Sequence, residues 1–86
     1  MSVEHLVLIA REFCRAHHVR IVSFAGLAAA AGASTAMVEG VRVHGSHEDA
    51  ARSLETVLQA VPALSSKNEE FARFCAEVYL SVAEVM

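Results

Sequence analysis

Apolar and polar positions alternate along this chain with a helical period. Leu6, Ile9, Ala10, Phe13 and His17 recur at three- and four-residue spacing, while Glu4, Arg11, Glu12 and Arg15 take the opposite side. This predicts a first helix over residues 3–18, with Leu8 exposed inside the charged stripe. Arg20-Ile21-Val22 is expected to be extended or irregular. Ser23 is a candidate N-cap for a second helix, and Gly32 suits the left-handed position that closes it. A third helix is expected to begin at Ser34 or Thr35 and run to about Val43, with His44-Gly45-Ser46 ending it.

Ser46 followed by Asp49 approximates a capping box for a fourth helix. There Ala50, Ala51, Leu54, Val57, Leu58 and Val61 line one face. Glu48 and Arg52 can pair on the other face, and Pro62 stops the helix. Ser66 with Glu69 reads as a further capping box, opening a long last helix of roughly 30 Å. On that helix Phe71, Phe74, Cys75, Val78, Val82 and Val85 form one apolar face. Ala72, Ala76, Tyr79 and Ala83 form a second, smoother one, and the polar residues beyond Phe71 fall on a narrow stripe. A helix so nearly apolar all round is expected to be buried nearly all round. Val41-Arg42-Val43-His44 alternates but is too short and lacks a partner strand. The fold class is all-α: about five short helices in one small orthogonal bundle over residues 1–86, ending in a long apolar helix.

Composition sharpens this picture. Of 86 residues, 55% are apolar, with four Phe, one Tyr and no Trp, so the core is aliphatic and some apolar surface is left for a partner. The net charge is −3. Residues 1–43 carry four arginines against three glutamates, and residues 44–86 carry three cations against seven acids. No part is clearly basic, as one face of a nucleic-acid binder usually is. Cys14 and Cys75 lie in apolar helical patterns and read as buried thiols in a reducing compartment. The charges at Glu4, Arg11 and Glu12 come too early for a signal peptide. The uncharged run 21–38 is mostly Ala, Gly, Ser and Thr and is broken at Gly32, so a membrane span is not expected. The expected location is cytoplasmic.

The stretch "LAAAAGASTAMVEG", residues 27–40, carries the most specific pattern. Ala28 is a small contact residue, Gly32 four positions later is a turn glycine expected at φ > 0, and Leu27, Ala31, Ala33, Val38 and Val41 fill the locking apolar positions of two steeply crossing helices. Across residues 24–43 the chain resembles the helix-turn-helix domains of λ-repressor-like proteins, and more loosely those of the TetR type. The resemblance implies a five-helix domain with the motif in helices two and three, and base contacts from the start of the second motif helix. The matching positions are Ser34, Thr35, Ala36, Glu39, Gly40 and Val43, with Arg20 and Arg42 flanking them for phosphates and Arg11 and Arg15 on the first helix. Glu39 opposes the charge of DNA, and no Arg, Lys, Asn or Gln stands among the reading positions, which is weak electrostatics for a phosphate-dominated interaction. Gly45, Ala50, Leu54, Val57 and Pro62, with Met37 and Val41, are also spaced in a way similar to a tetratricopeptide repeat. That repeat's aromatic and glycine signature is missing, however, and one repeat is too few.

Signals for chemistry are sparse. Cys14 and His18 are four apart and His44 and His47 three apart, yet neither set supplies three metal ligands. Ser34, His44 and Asp49 lie in no nucleophile-elbow context. No catalytic residue, metal or cofactor is expected. The reading that follows is a non-enzymatic domain that binds itself or another helical protein. Its expected contact residues are Leu8, Ala72, Ala76, Tyr79, Leu80 and Ala83, with Tyr79 supplying most of the area. The alternative is a dimeric helix-turn-helix regulator touching DNA through Arg20, Ser34, Thr35 and Arg42.

Overall fold

A computed structural model describes residues 2–34, 37–38, 41–42 and 46–85, with side chains over 2–34 and 46–82. Helix α1 spans Val3–His17. The Ser2 hydroxyl accepts the His5 N–H, satisfying one of the orphan donors at the helix start. At the other end His18 adopts a left-handed conformation, φ 57°, and both its N–H and that of Val19 donate to the Cys14 carbonyl. Leu6, Ala10 and Phe13 are buried, as their spacing predicts, and Leu8 is exposed. His17, expected on the buried face, is exposed instead, with its ring stacked on Phe13 at 4.1 Å between centroids.

Helix α2 spans Phe24–Ser34, with the Ser23 hydroxyl accepting the Gly26 N–H at its start. The helix does not end at Gly32. That residue lies inside it, without the positive φ that the turn requires. The reason is tertiary. The buried series Gly26, Leu27, Ala30, Ala31 continues one more turn to Ser34, so stopping at Gly32 would withdraw Ser34 from the core face. Ser34 donates its hydroxyl to the Ala31 carbonyl at 2.9 Å. The helix expected from Ser34 or Thr35 to Val43 is also corrected: β1, Met37–Val38, pairs antiparallel with β2, Val41–Arg42, in a two-residue ladder. The alternation at Val41-Arg42 therefore does find a partner. Residues 35, 36, 39, 40 and 43–45 of that span lie outside the described residues.

Helix α3, His47–Ala60, is capped as predicted, with the Ser46 hydroxyl accepting the Asp49 N–H at 3.1 Å. Arg52 pairs with Asp49, one turn away at 3.6 Å, rather than with Glu48. Ala50, Ala51, Leu54 and Leu58 are buried, but Val61, expected on the same face, is exposed where the chain turns out of the helix before Pro62. Helix α4 spans Asn68–Val85. Among the described residues, four α-helices thus stand where five were expected.

Two connectors run side by side. Val22 and Ser23 N–H groups donate to the Ala63 carbonyl, Ser65 N–H donates to the Arg20 carbonyl, and Arg20 N–H donates to the Ser65 hydroxyl. Ile21 and Leu64 form an antiparallel bridge there. The link between α1 and α2 is thereby sewn to the link between α3 and α4. Gly26 sits at this seam, where a Cβ would come 3.1 Å from the Val61 carbonyl oxygen. Helix α3 packs against both α2 and α4, and α1 covers parts of α2 and α4. The core is centred on Leu6, Leu27, Leu54, Leu58 and Phe71, with Ala63 and Leu64 entering from the connector.

Candidate interaction surface

The core-facing side of α4 differs from the one its pattern suggests. Phe71, Ala72, Cys75, Ala76 and Tyr79 are all buried, so the small-residue stripe joins Phe71 and Cys75 inside the domain. Ala72, Ala76 and Tyr79 are therefore not free to meet a partner. Tyr79 lies near His47 of α3, with 6.3 Å between ring centres. Leu80 is half-buried, and the Ala83 side chain lies outside the described residues. Nor is α4 buried nearly all round, because Phe74 remains 40% exposed and Val82 52%.

Phe74, Val78 and Val82 follow one another at four-residue steps, forming a single ridge along the outer side of α4. Val78 is half-buried between the two exposed members. Phe74 is anchored at its base by Phe13, at 6.0 Å between ring centres, and Phe13 in turn packs on Phe71 at 5.3 Å. Exposed Glu70, Glu77 and Ser81 border the ridge on the solvent side, with Arg73 beyond them. Two other places expose large apolar side chains. On α1, Leu8, 59% exposed, stands among Glu4, Arg11, Glu12 and Arg15, and Val3 is exposed at the first residue of the helix. Val22, Phe24 and Val61 are exposed around the connector seam. The ridge on α4 is the one of these that repeats along a helix.

Of the residues expected to touch DNA, the structure describes the side chains of Ser34 and Arg20. Ser34 is only 1% exposed and its hydroxyl is turned back onto α2. Arg20 is exposed, but its backbone is committed to the connector seam. Arg42 lies in β2 with its side chain outside the described residues, as is all of Thr35.

Both cysteines are free. Cys75 is fully buried, and desolvation of the thiolate pushes its pKa up to about 12. The partly buried Cys14 thiol is also raised by desolvation. Among the described residues, no three His, Cys, Asp or Glu side chains converge, and no helix is long and apolar enough to cross a membrane. The ridge was missed from sequence because Phe74, Val78 and Val82 sit in the same apolar pattern as the core positions Phe71 and Cys75. Their distinguishing signal is the acidic border at Glu70 and Glu77, on the adjoining strip of the helix.

The fold and this surface define a predominantly α-helical domain with an apolar ridge on its last helix. No protein-family model, curated protein or solved structure matches the chain.

Proposed function

We propose that the protein is a small non-enzymatic interaction domain that works by associating with itself or with another protein chain. The observation that supports this reading is the ridge Phe74–Val78–Val82, whose end members Phe74 and Val82 are exposed along one helix with Val78 half-buried between them. Single exposed apolar residues are ordinary on protein surfaces, whereas a contiguous apolar strip with a polar border is the pattern of a contact site. Leu8 belongs to the same reading as an isolated second contact.

Cross-linking of the intact protein in its native cells, followed by peptide mapping, tests the reading. Adducts between α4 and a protein chain, lost on Val82→Ser, are expected. The competing function is a helix-turn-helix regulator. A duplex-DNA titration at physiological salt is expected to give no binding tighter than about 10⁻⁴ M, the weak end of non-specific association. A sequence-specific shift at nanomolar protein, weakened by Arg20→Ala or Arg42→Ala, would overturn the interaction-domain reading.

A further inference from the structure

We propose that α1 is a detachable cover: it undocks from α2 and α4 as one unit, pivoting at His18–Val19, while α2, α3 and α4 stay assembled. The motion goes beyond the interaction-domain reading and does not depend on what the ridge of α4 binds.

Three features set α1 apart. It packs on α2 and α4 but not on α3, whereas α3 packs on both of those helices and joins them. Taking α1 away therefore leaves a continuous three-helix unit. The docking is also apolar. Leu6, Ala10 and Phe13 are its buried residues, edged by half-buried Val7, Ile9 and Cys14. Among the described residues, the hydrogen bonds and the ion pair of α1 stay within the helix and its two ends. Undocking breaks no polar bond to another helix within that set.

The third feature is an anchor just past α1. Arg20 is held to Ser65 through both its N–H and its carbonyl, and Val22 and Ser23 are held to the Ala63 carbonyl. These bonds tie the start of α2 to the link between α3 and α4, and they survive when residues 3–17 swing away. His18 and Val19 lie between the helix and the anchor, with their N–H groups bonded back to Cys14 of α1 itself. A hinge needs only a few such residues at the end of an element. A unit held by few buried apolar contacts opens at a lower free energy than the whole domain.

Phe13 connects this motion to the outer surface. Its ring packs on buried Phe71 at 5.3 Å and on exposed Phe74 at 6.0 Å between centres. Undocking bares the Phe13 side of Phe71 and withdraws the ring that steadies Phe74. The closed domain thus holds one end of the ridge in place through α1, and the open domain releases it.

Native-state hydrogen exchange of the full chain, read by NMR across low urea concentrations, tests this. Amides 7–17 are expected to share one opening free energy. Its urea dependence is expected to be smaller than that of global unfolding, because less surface is exposed. The amides of Leu54 and Leu58 in α3 are expected to exchange only through global unfolding. Leu58→Ala separates the two openings. It leaves a cavity in the three-helix unit, which is present both before and after α1 undocks. Exchange in α3 is therefore expected to accelerate at least about tenfold. Exchange in α1 is expected to stay within about twofold of wild type. If Leu58→Ala fails to fold, Ala50→Gly makes the same separation more gently, with α3 accelerating about fourfold and α1 unchanged.

Amides of α1 that merge with those of α3 at the global opening, or that accelerate with them in Leu58→Ala, would overturn the proposal. So would α1 amides that exchange one by one from the helix ends with no dependence on urea, which is fraying rather than undocking.

Discussion

Asn68 and Leu64 hold each other twice: the Leu64 N–H donates to Asn68 Oδ1 at 3.0 Å, and Asn68 Nδ2 donates to the Leu64 carbonyl at 3.0 Å. The carboxamide, at the first residue of α4, thus copies one rung of backbone pairing. It fixes how the chain leaves the connector seam, beside the left-handed Lys67 at φ 59°. This closure stands where a Ser66–Glu69 capping box is predicted. Asn68→Ala removes both bonds and leaves partly buried backbone groups unpaired, so it is expected to cost about 1–3 kcal/mol. Asn68→Asp keeps the acceptor and is expected to cost less. Urea unfolding checks this, with the midpoint falling and the slope unchanged.

Two glycines of α2 are expected to respond in opposite directions. At Gly32 a new Cβ meets nothing within 4 Å, and the backbone is helical. Gly32→Ala is therefore expected to stabilise the domain by about 0.5–1 kcal/mol. At Gly26 the Cβ would meet the Val61 carbonyl oxygen at 3.1 Å and the Ala63 Cβ at 3.3 Å, which forces the seam to move. Gly26→Ala is expected to lower the melting temperature despite the same gain in helix propensity. A Gly32→Ala variant less stable than wild type would contradict a helix continuous through that position.

Ala76 separates a core from an interface. Were the small-residue stripe of α4 an interface, Ala76→Glu would yield a folded monomer. Because Ala76 is buried against the rest of the chain, the introduced carboxylate must be taken out of water into an apolar core. The variant is expected to be unfolded by circular dichroism, not merely dissociated.

Cys75 links stability to alkaline pH. Burial raises its pKa from 9.0 to about 12, so above pH 9 the unfolded chain has lost the thiol proton that the folded chain keeps. Its contribution is fully present below pH 9 and is lost as pH climbs toward 12. Urea midpoints are expected to fall across that range by more in wild type than in Cys75→Ala. In the folded state a thiol reagent at pH 8 is expected to modify the half-buried Cys14 well before Cys75.

Local rules were legible in the sequence wherever a few neighbouring residues settle the outcome. Ser23 and Ser46 cap helices because a hydroxyl sits three residues before an orphan N–H. Pro62 ends α3 because its ring cannot continue the helix, and the spacing of Leu6, Ala10 and Phe13 specifies the buried side of α1. The all-α class follows from such signals.

Tertiary structure decided what those signals leave degenerate. A glycine near a helix end permits both a left-handed stop and continuation, and the burial of Ser34 selects continuation through Gly32. The pairing of Ile21 with Leu64 joins residues far apart in sequence, which no short-range period encodes. On α4 the pattern offers two apolar sides of similar strength. Packing against α3 draws in Ala72, Ala76 and Tyr79, because small side chains let the helices approach closely, and leaves Phe74 and Val82 outside. The chain's own sequence made α4 apolar on both sides, and only the arrangement of the other three helices determined which side faces solvent.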